Sequence, residues 1–281
     1  MRERVVTIGQ NLPLVGIVCE PDAGAVTNPS VAMILLNSGV IHRVGSCRLS
    51  VTLARALAEK SGLMSLRFDF SGIGDSEARR NTLTAAESAV DEVREVMDFL
   101  ARDKGVKKFI LYGLCSGAFA AYRTALKDER VLGIAQLDGY CYLSWKSYFY
   151  HYSPRIFSLE RWVGLIKRLL GLKKTNTGVA ASKIDSRFFE VPAFDSYPPR
   201  AEVTTGLDKL ARRGLKMFNV FCGSEHYNYP EQFKDCFSSV SFGDNLTLLY
   251  LPHASHILAE PEDQQRVIKG IVEWVKVVAK P

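Results

Sequence analysis

Lys108-Phe109-Ile110-Leu111-Tyr112-Gly113-Leu114-Cys115-Ser116-Gly117-Ala118-Phe119-Ala120 is the stretch that decides how this chain folds. Its first half is an apolar run of strand length, and its last residues, continuing through Ala121-Tyr122-Arg123, are good helix formers. Between them, glycines stand two residues either side of Cys115. A strand that turns sharply into a helix leaves no room for a Cβ at those two positions, and it presents the central side chain at the apex. Cys115 is therefore the predicted nucleophile of a strand–turn–helix elbow. A thiolate there forms a thioester intermediate, where a serine would form an ester. The competing reading of Cys115, a small buried apolar residue, does not explain the two glycines.

Outward from the elbow, strand and helix patterns alternate. Val5-Val6-Thr7-Ile8 and Leu14-Val15-Gly16-Ile17-Val18 read as an opening hairpin. Val31 to Leu36, Leu63 to Phe68, Val131 to Leu137, Lys216 to Phe221 and Leu246 to Leu251 read as further strands, several of them continuous apolar runs suited to burial on both faces. Apolar residues at helical spacing mark a helix from Leu49 to Glu59, another carrying Val90, Val93, Met97 and Leu100, and a last one from about Gln264 to Val278. The pattern predicts an α/β fold with a mostly parallel central sheet and helices on both faces. From Gly139 to about Arg200 the alternation breaks, and aromatics crowd in at Tyr140, Tyr142, Trp145, Tyr148, Phe149, Tyr150 and Tyr152. A stretch that long without a role is uncommon in a compact domain, so residues 140–200 read as a cap inserted into a core formed by 1–139 and 201–281.

The chain of 281 residues, 47% hydrophobic, is long enough for one such domain with its cap. No run approaches the ~18 apolar residues of a membrane span, and the N-terminus lacks a signal-peptide core. Six cysteines without CxxC spacing suggest neither a zinc site nor a disulfide framework, and a reduced, cytoplasmic setting fits them. Cys19, Cys47, Cys141, Cys222 and Cys236 read as packing residues. A net charge of +6 is no nucleic-acid signature by itself.

A nucleophilic cysteine needs a base, and the base needs an acceptor to fix its tautomer. Five histidines are available. His256, on the loop after the last predicted strand, reaches the sheet end where the elbow sits, and His253 is its near rival. Glu225, just past the preceding strand, is the first candidate acid; Asp138, ending the strand before the cap, is the alternative. The oxyanion donors are expected from the N–H of Ser116, which opens the helix after the elbow, and of Val40, in the loop Asn37-Ser38-Gly39-Val40-Ile41-His42. Tyr140, Trp145, His226 and Tyr227 are candidate pocket residues. Asp69 and Asp75 read as hydrogen-bonding the turn backbone beside the site.

These residues carry a resemblance to the α/β-hydrolase superfamily, in its serine-aminopeptidase-like branch. Arg67-Phe68-Asp69-Phe70-Ser71-Gly72-Ile73-Gly74-Asp75-Ser76 resembles the RxDxxGxGxS segment of that branch. Asn37-Ser38-Gly39 followed by His42-Arg43-Val44-Gly45, Leu137-Asp138-Gly139-Tyr140, and Glu225-His226-Tyr227-Asn228-Tyr229 resemble segments of the exosortase-associated hydrolases. The resemblance extends over nearly the whole chain outside Ser153 to Asp195. It implies an α/β-hydrolase fold with nucleophile, acid and histidine in that chain order. The departure is cysteine in place of serine, which dienelactone hydrolases and some chain-releasing thioesterases share.

Together these readings predict a Cys-His-acid acyl-transfer enzyme: a thioesterase or esterase when water releases the acyl group, an acyltransferase or cyclase when an amine or alcohol does. The aromatic cap predicts an apolar or aromatic acyl group. No metal or organic cofactor is implied. The alternative from another class is a non-catalytic ligand-binding protein of the same fold. Arg155, Arg161, Lys167, Arg168, Lys173 and Lys174, interleaved with apolar residues, read as a basic amphipathic lid helix. Its solvated face suits an acidic acyl-carrier protein presenting a carrier-bound acyl substrate, or peripheral contact with an anionic membrane; nucleic acid is not an expected partner.

Overall fold

The computed structural model describes residues 1–9, 13–79, 83–147, 150, 197–223 and 227–280. Eight strands form one sheet: β1 (Arg2–Ile8), β2 (Leu14–Glu20), β3 (Val31–Leu35), β4 (Met64–Phe68), β5 (Lys108–Leu114), β6 (Val131–Leu137), β7 (Lys216–Cys222) and β8 (Leu246–Leu251), in the order β1-β2-β4-β3-β5-β6-β7-β8. The β1–β2 hairpin is antiparallel and β2 pairs antiparallel with β4; from β4 to β8 every pairing is parallel. The predicted hairpin and all the later strands are present.

The helices are α1 (Leu49–Ser61), α2 (Ala85–Lys104), α3 (Ser116–Lys127), α4 (Arg200–Arg212), α5 (Gln232–Cys236) and α6 (Pro261–Val278). α2 begins at a capping box in which the Thr84 hydroxyl accepts from Glu87 N–H and the Glu87 carboxylate accepts from Thr84 N–H. α6 starts three residues earlier than its apolar pattern suggested, because Pro261 occupies the first turn, where its missing N–H costs nothing. Two helices had no counterpart in the sequence reading, α4 and the short α5.

The sheet divides the core in two. On one face Leu66, Phe68, Phe109 and Leu111 pack with Val93, Met97 and Leu100 of α2, Ala121 and Ala125 of α3, and Leu207 and Leu210 of α4. On the other, Met33, Leu35, Ile110 and Tyr112 pack with Leu53 and Leu57 of α1 and Ile271 and Trp274 of α6. Burial on both faces explains why the central strands are apolar throughout rather than alternating. With helices on both faces, the carboxyl ends of the parallel strands are where a ligand crevice forms. Among the described residues no helix is long and apolar enough to cross a membrane.

Candidate active site

Cys115 follows β5 directly and is the N-cap of α3, with φ 51° and ψ −116°. A non-glycine residue with positive φ is strained, and the surroundings hold it there. Its N–H donates to Leu137 O at the end of β6 (2.9 Å), and its carbonyl accepts from Phe119 N–H (3.1 Å). The flanking glycines are required by close approach. A Cβ on Gly113 would lie 2.1 Å from the carbonyl carbon of Gly117, and a Cβ on Gly117 would lie 2.4 Å from Asn37 O. The turn is thus wedged between its own helix and the loop after β3. The Cys115 side chain is half-buried.

His256 lies on the loop after β8, and its Nδ1–H donates to Asp138 Oδ2 at 2.6 Å. The Cys115 thiol lies near enough to the imidazole to act on its proton. The bond to Asp138 first, and the neighbouring Cys115 second, push the imidazole up to about 10 against the opposing effect of burial. The acid comes from the end of β6: Asp138 has φ 47°, a left-handed conformation that Asp tolerates better than most residues. Its other oxygen, Oδ1, accepts from Cys222 N–H (2.8 Å), and its own N–H donates to Val220 O (2.8 Å). The carboxylate is therefore fixed by the neighbouring strand before it reaches the histidine. Glu225 lies outside the described residues. His253 is exposed, and its ring makes no hydrogen bond to a described residue.

The loop after β3 is built onto the elbow. Gly39 N–H donates to Ser116 Oγ (2.7 Å), and Ile41 N–H to Ser38 O (2.9 Å) closes the turn. Val40, 69% exposed, sits in that turn, and its N–H has no partner among the described residues. The N–H of Ser116 is in the first turn of α3, where no helical carbonyl is available to it. The Ser116 N–H thus adjoins Cys115, and the turn carrying Val40 is tied to Ser116 through Gly39. Asp69, fully buried, anchors the loop: it accepts from Arg43 N–H (2.5 Å), Asn37 Nδ2 (3.3 Å) and Asp75 N–H (3.2 Å), and it pairs with the Arg43 guanidinium, which also holds Asp75. Ser76 closes the RxDxxGxGxS segment by donating to Asp69 O (2.7 Å). These anchoring contacts fit the turn-holding role expected of Asp69.

The residues expected to line a pocket differ in burial. Tyr140 is buried and stacked on Phe119, with ring centroids 4.1 Å apart; Tyr227 is buried and stacked on Phe221 at 4.0 Å, and its hydroxyl donates to Pro230 O (2.9 Å). Both rings belong to the core. Trp145 is 76% exposed. His226 and the basic cap residues Arg155, Arg161, Lys167, Arg168, Lys173 and Lys174 lie outside the described residues. Of the other cysteines, Cys19, Cys141, Cys222 and Cys236 are buried, as packing residues should be, whereas Cys47 is exposed because it sits in a left-handed turn ahead of α1.

Residues 29–189 match the family described as serine aminopeptidase, S33. No curated protein sequence matches the chain. Among solved structures, an esterase from Pyrococcus furiosus is similar with a TM-score of 0.60 at 15% identity, over 99% of this chain and 93% of that one. A thermophilic esterase from Thermogutta terrifontis is similar with a TM-score of 0.59 at 14% identity, over 99% and 100%. A dienelactone hydrolase from Anabaena variabilis gives a TM-score of 0.56 at 14% identity, over 99% and 98%. At such identities the likeness is one of fold.

Proposed function

This chain belongs to the serine aminopeptidase (S33) family of α/β hydrolases, and from that premise we propose that it is a cysteine-dependent acyl-transfer enzyme acting through Cys115, His256 and Asp138. The observation that carries the reading is the histidine shared between the elbow cysteine and the strand-end carboxylate. In this reading Cys115 attacks the carbonyl carbon of a thioester or ester as a thiolate, its proton already resting on the His256 imidazolium. The N–H groups of Ser116 and Val40 hold the oxyanion of the tetrahedral intermediate. Collapse breaks the bond to the leaving thiol or alcohol, which takes the proton from His256 and leaves the acyl group on Cys115. A second nucleophile, deprotonated by His256, attacks that acyl-thioester and restores the thiol. Water as second nucleophile makes the protein a thioesterase or esterase; an amine or alcohol makes it an acyltransferase or cyclase. The segments resembling exosortase-associated hydrolases support assigning the chain, within this reading, to that branch.

Asp138 is preferred to Glu225 as the acid because its carboxylate is already bound to Nδ1, the nitrogen that must keep its proton while Nε2 exchanges one. The test is intact-protein mass after incubation with a panel of acyl thioesters, for wild type and Cys115→Ala. A mass gain equal to the acyl group, confined to wild type, supports the reading and names the group that fits. Neither adduct nor substrate consumption across the panel would overturn it and leave the ligand-binding reading.

A further inference from the structure

A cleft of about 430 Å³ opens beside the site, between β2, β4, the start of α1 and the loop that runs on from the oxyanion turn. Its walls carry four guanidinium groups, those of Arg43, Arg48, Arg55 and Arg67, together with His42 and Asp75. Glu3 bridges Arg55 (2.7 Å) and Arg67 (2.8 Å), and Arg43 is held by Asp69 and Asp75. Four cations thus face three carboxylates. The cation left over is Arg48, whose exposed side chain makes no hydrogen bond or ion pair with a described residue.

The donors are also in excess. Arg67 has a side chain only 5% exposed, and its Nε is buried with no hydrogen-bond partner among the described residues; Arg55 Nε is in the same state. Rigid forked guanidinium groups are well matched to the several oxygens of a phosphate. The volume falls in the range of small-molecule sites, about 300–1,000 Å³, which suits a phosphorylated organic group better than a single ion. The cleft also adjoins the chemistry. His42 and Arg43 follow the oxyanion turn directly, and the next residues touch the histidine loop, where Ser46 Oγ donates to Ile257 O (2.8 Å).

We infer that this arginine-lined cleft binds a phosphate or diphosphate group, and that it seats the phosphorylated part of an acyl-thioester donor while the acyl carbon reaches Cys115. The second half of that statement rests on the proposed acyl-transfer function; the first does not.

Binding is therefore measured first, by calorimetry on the full chain with ligands that carry no acyl group: pyrophosphate, coenzyme A and phosphate-free pantetheine. Coenzyme A and pyrophosphate are expected to bind, pantetheine is not, and Arg48→Gln should weaken both by about tenfold, with partial recovery in Arg48→Lys. Since the exposed Arg48 side chain makes no hydrogen bond or ion pair with a described residue, its replacement should leave the circular dichroism spectrum as in wild type. Equal affinity of coenzyme A for wild type and Arg48→Gln, or no binding of any phosphorylated probe, overturns the inference. A second arm compares kcat/KM for an acyl-coenzyme A with that for the matching N-acetylcysteamine thioester. The ratio should fall about tenfold in Arg48→Gln, and an unchanged ratio would refute the seating of the donor. If no thioester is turned over while Arg48-dependent phosphate binding persists, the acyl-transfer reading fails and the phosphate site stands.

Discussion

Asp138 and His256, 118 residues apart, meet at 2.6 Å because both follow strands in the parallel part of one sheet, Asp138 after β6 and His256 after β8. Between them β7 supplies Cys222 N–H, which holds the second oxygen of the carboxylate. The acid is thus fixed from one side by the sheet and bound on the other to the base. This geometry separates the two acids that the sequence offers. Asp138→Asn should lower kcat/KM by about 10²- to 10⁴-fold, since an amide can stabilise the wrong imidazole tautomer. Glu225→Gln should stay within about threefold of wild type if it takes no part in the chemistry. Steady-state kinetics on the two variants decides, and the reverse ranking would move the acid to Glu225.

The raised His256 predicts a particular dependence of stability on pH. Its folded value, about 10, lies above the ordinary histidine value, so the imidazolium is favoured by folding. Its contribution is complete below about pH 6.5, and it shrinks as pH rises and is gone above about 10. Half the side chain is exposed, so solvent screening keeps the contribution modest. Denaturant unfolding of wild type and His256→Gln across pH 6 to 11 should give a difference that is largest at the acid end and narrows toward the alkaline end. A difference that widens with pH would contradict the assignment.

The elbow glycines offer a steric test. In Gly117→Ala the new Cβ meets Asn37 O, which belongs to the loop proposed to bear the second oxyanion donor. The loop must yield, at a cost of about 1–3 kcal/mol in stability and with loss of the donor's alignment. Activity should fall about 10²-fold or more while Cys115 remains alkylatable. Stability within error of wild type, with full turnover, would show that the loop is not wedged.

How much of this was legible before folding differs by level. The strands were, because double burial makes them unbroken apolar runs, as in Val31–Leu35 and Val131–Leu137. The elbow was, because only glycine fits at 113 and 117. Helix α4 was not, although Val203, Leu207, Leu210 and Ala211 share its buried face; Gly206 interrupts that stripe where Tyr122 Oη approaches too closely for any side chain. α5 is too short to show a period. Asp138 was visible only as one acid among two. Nothing local reveals that its carboxylate is held by Cys222 N–H from a strand 84 residues away. Aromatic content likewise did not separate Tyr140 and Tyr227, which stack in the core, from residues lining a pocket, because packing partners are set by tertiary structure.

Asp69 tests whether the loop after β3 is positioned rather than merely present. Its carboxylate is fully buried and serves Arg43, Asn37 and the Asp75 backbone, so Asp69→Asn leaves the Arg43 guanidinium with only the exposed Asp75 as a charged partner. Removing one member of a buried pair costs about 3 kcal/mol or more. Asp69 hydrogen-bonds none of the proposed reacting groups, so its effect on turnover is expected to pass through the proposed oxyanion turn at residues 37–41. Donors that act only on the tetrahedral intermediate stabilise the transition state and not the bound substrate. Asp69→Asn should therefore lower kcat by about tenfold or more with KM nearly unchanged, measured well below its unfolding temperature. A rise in KM with kcat preserved would mean instead that Asp69 shapes the binding cleft and that the oxyanion turn holds its geometry without it.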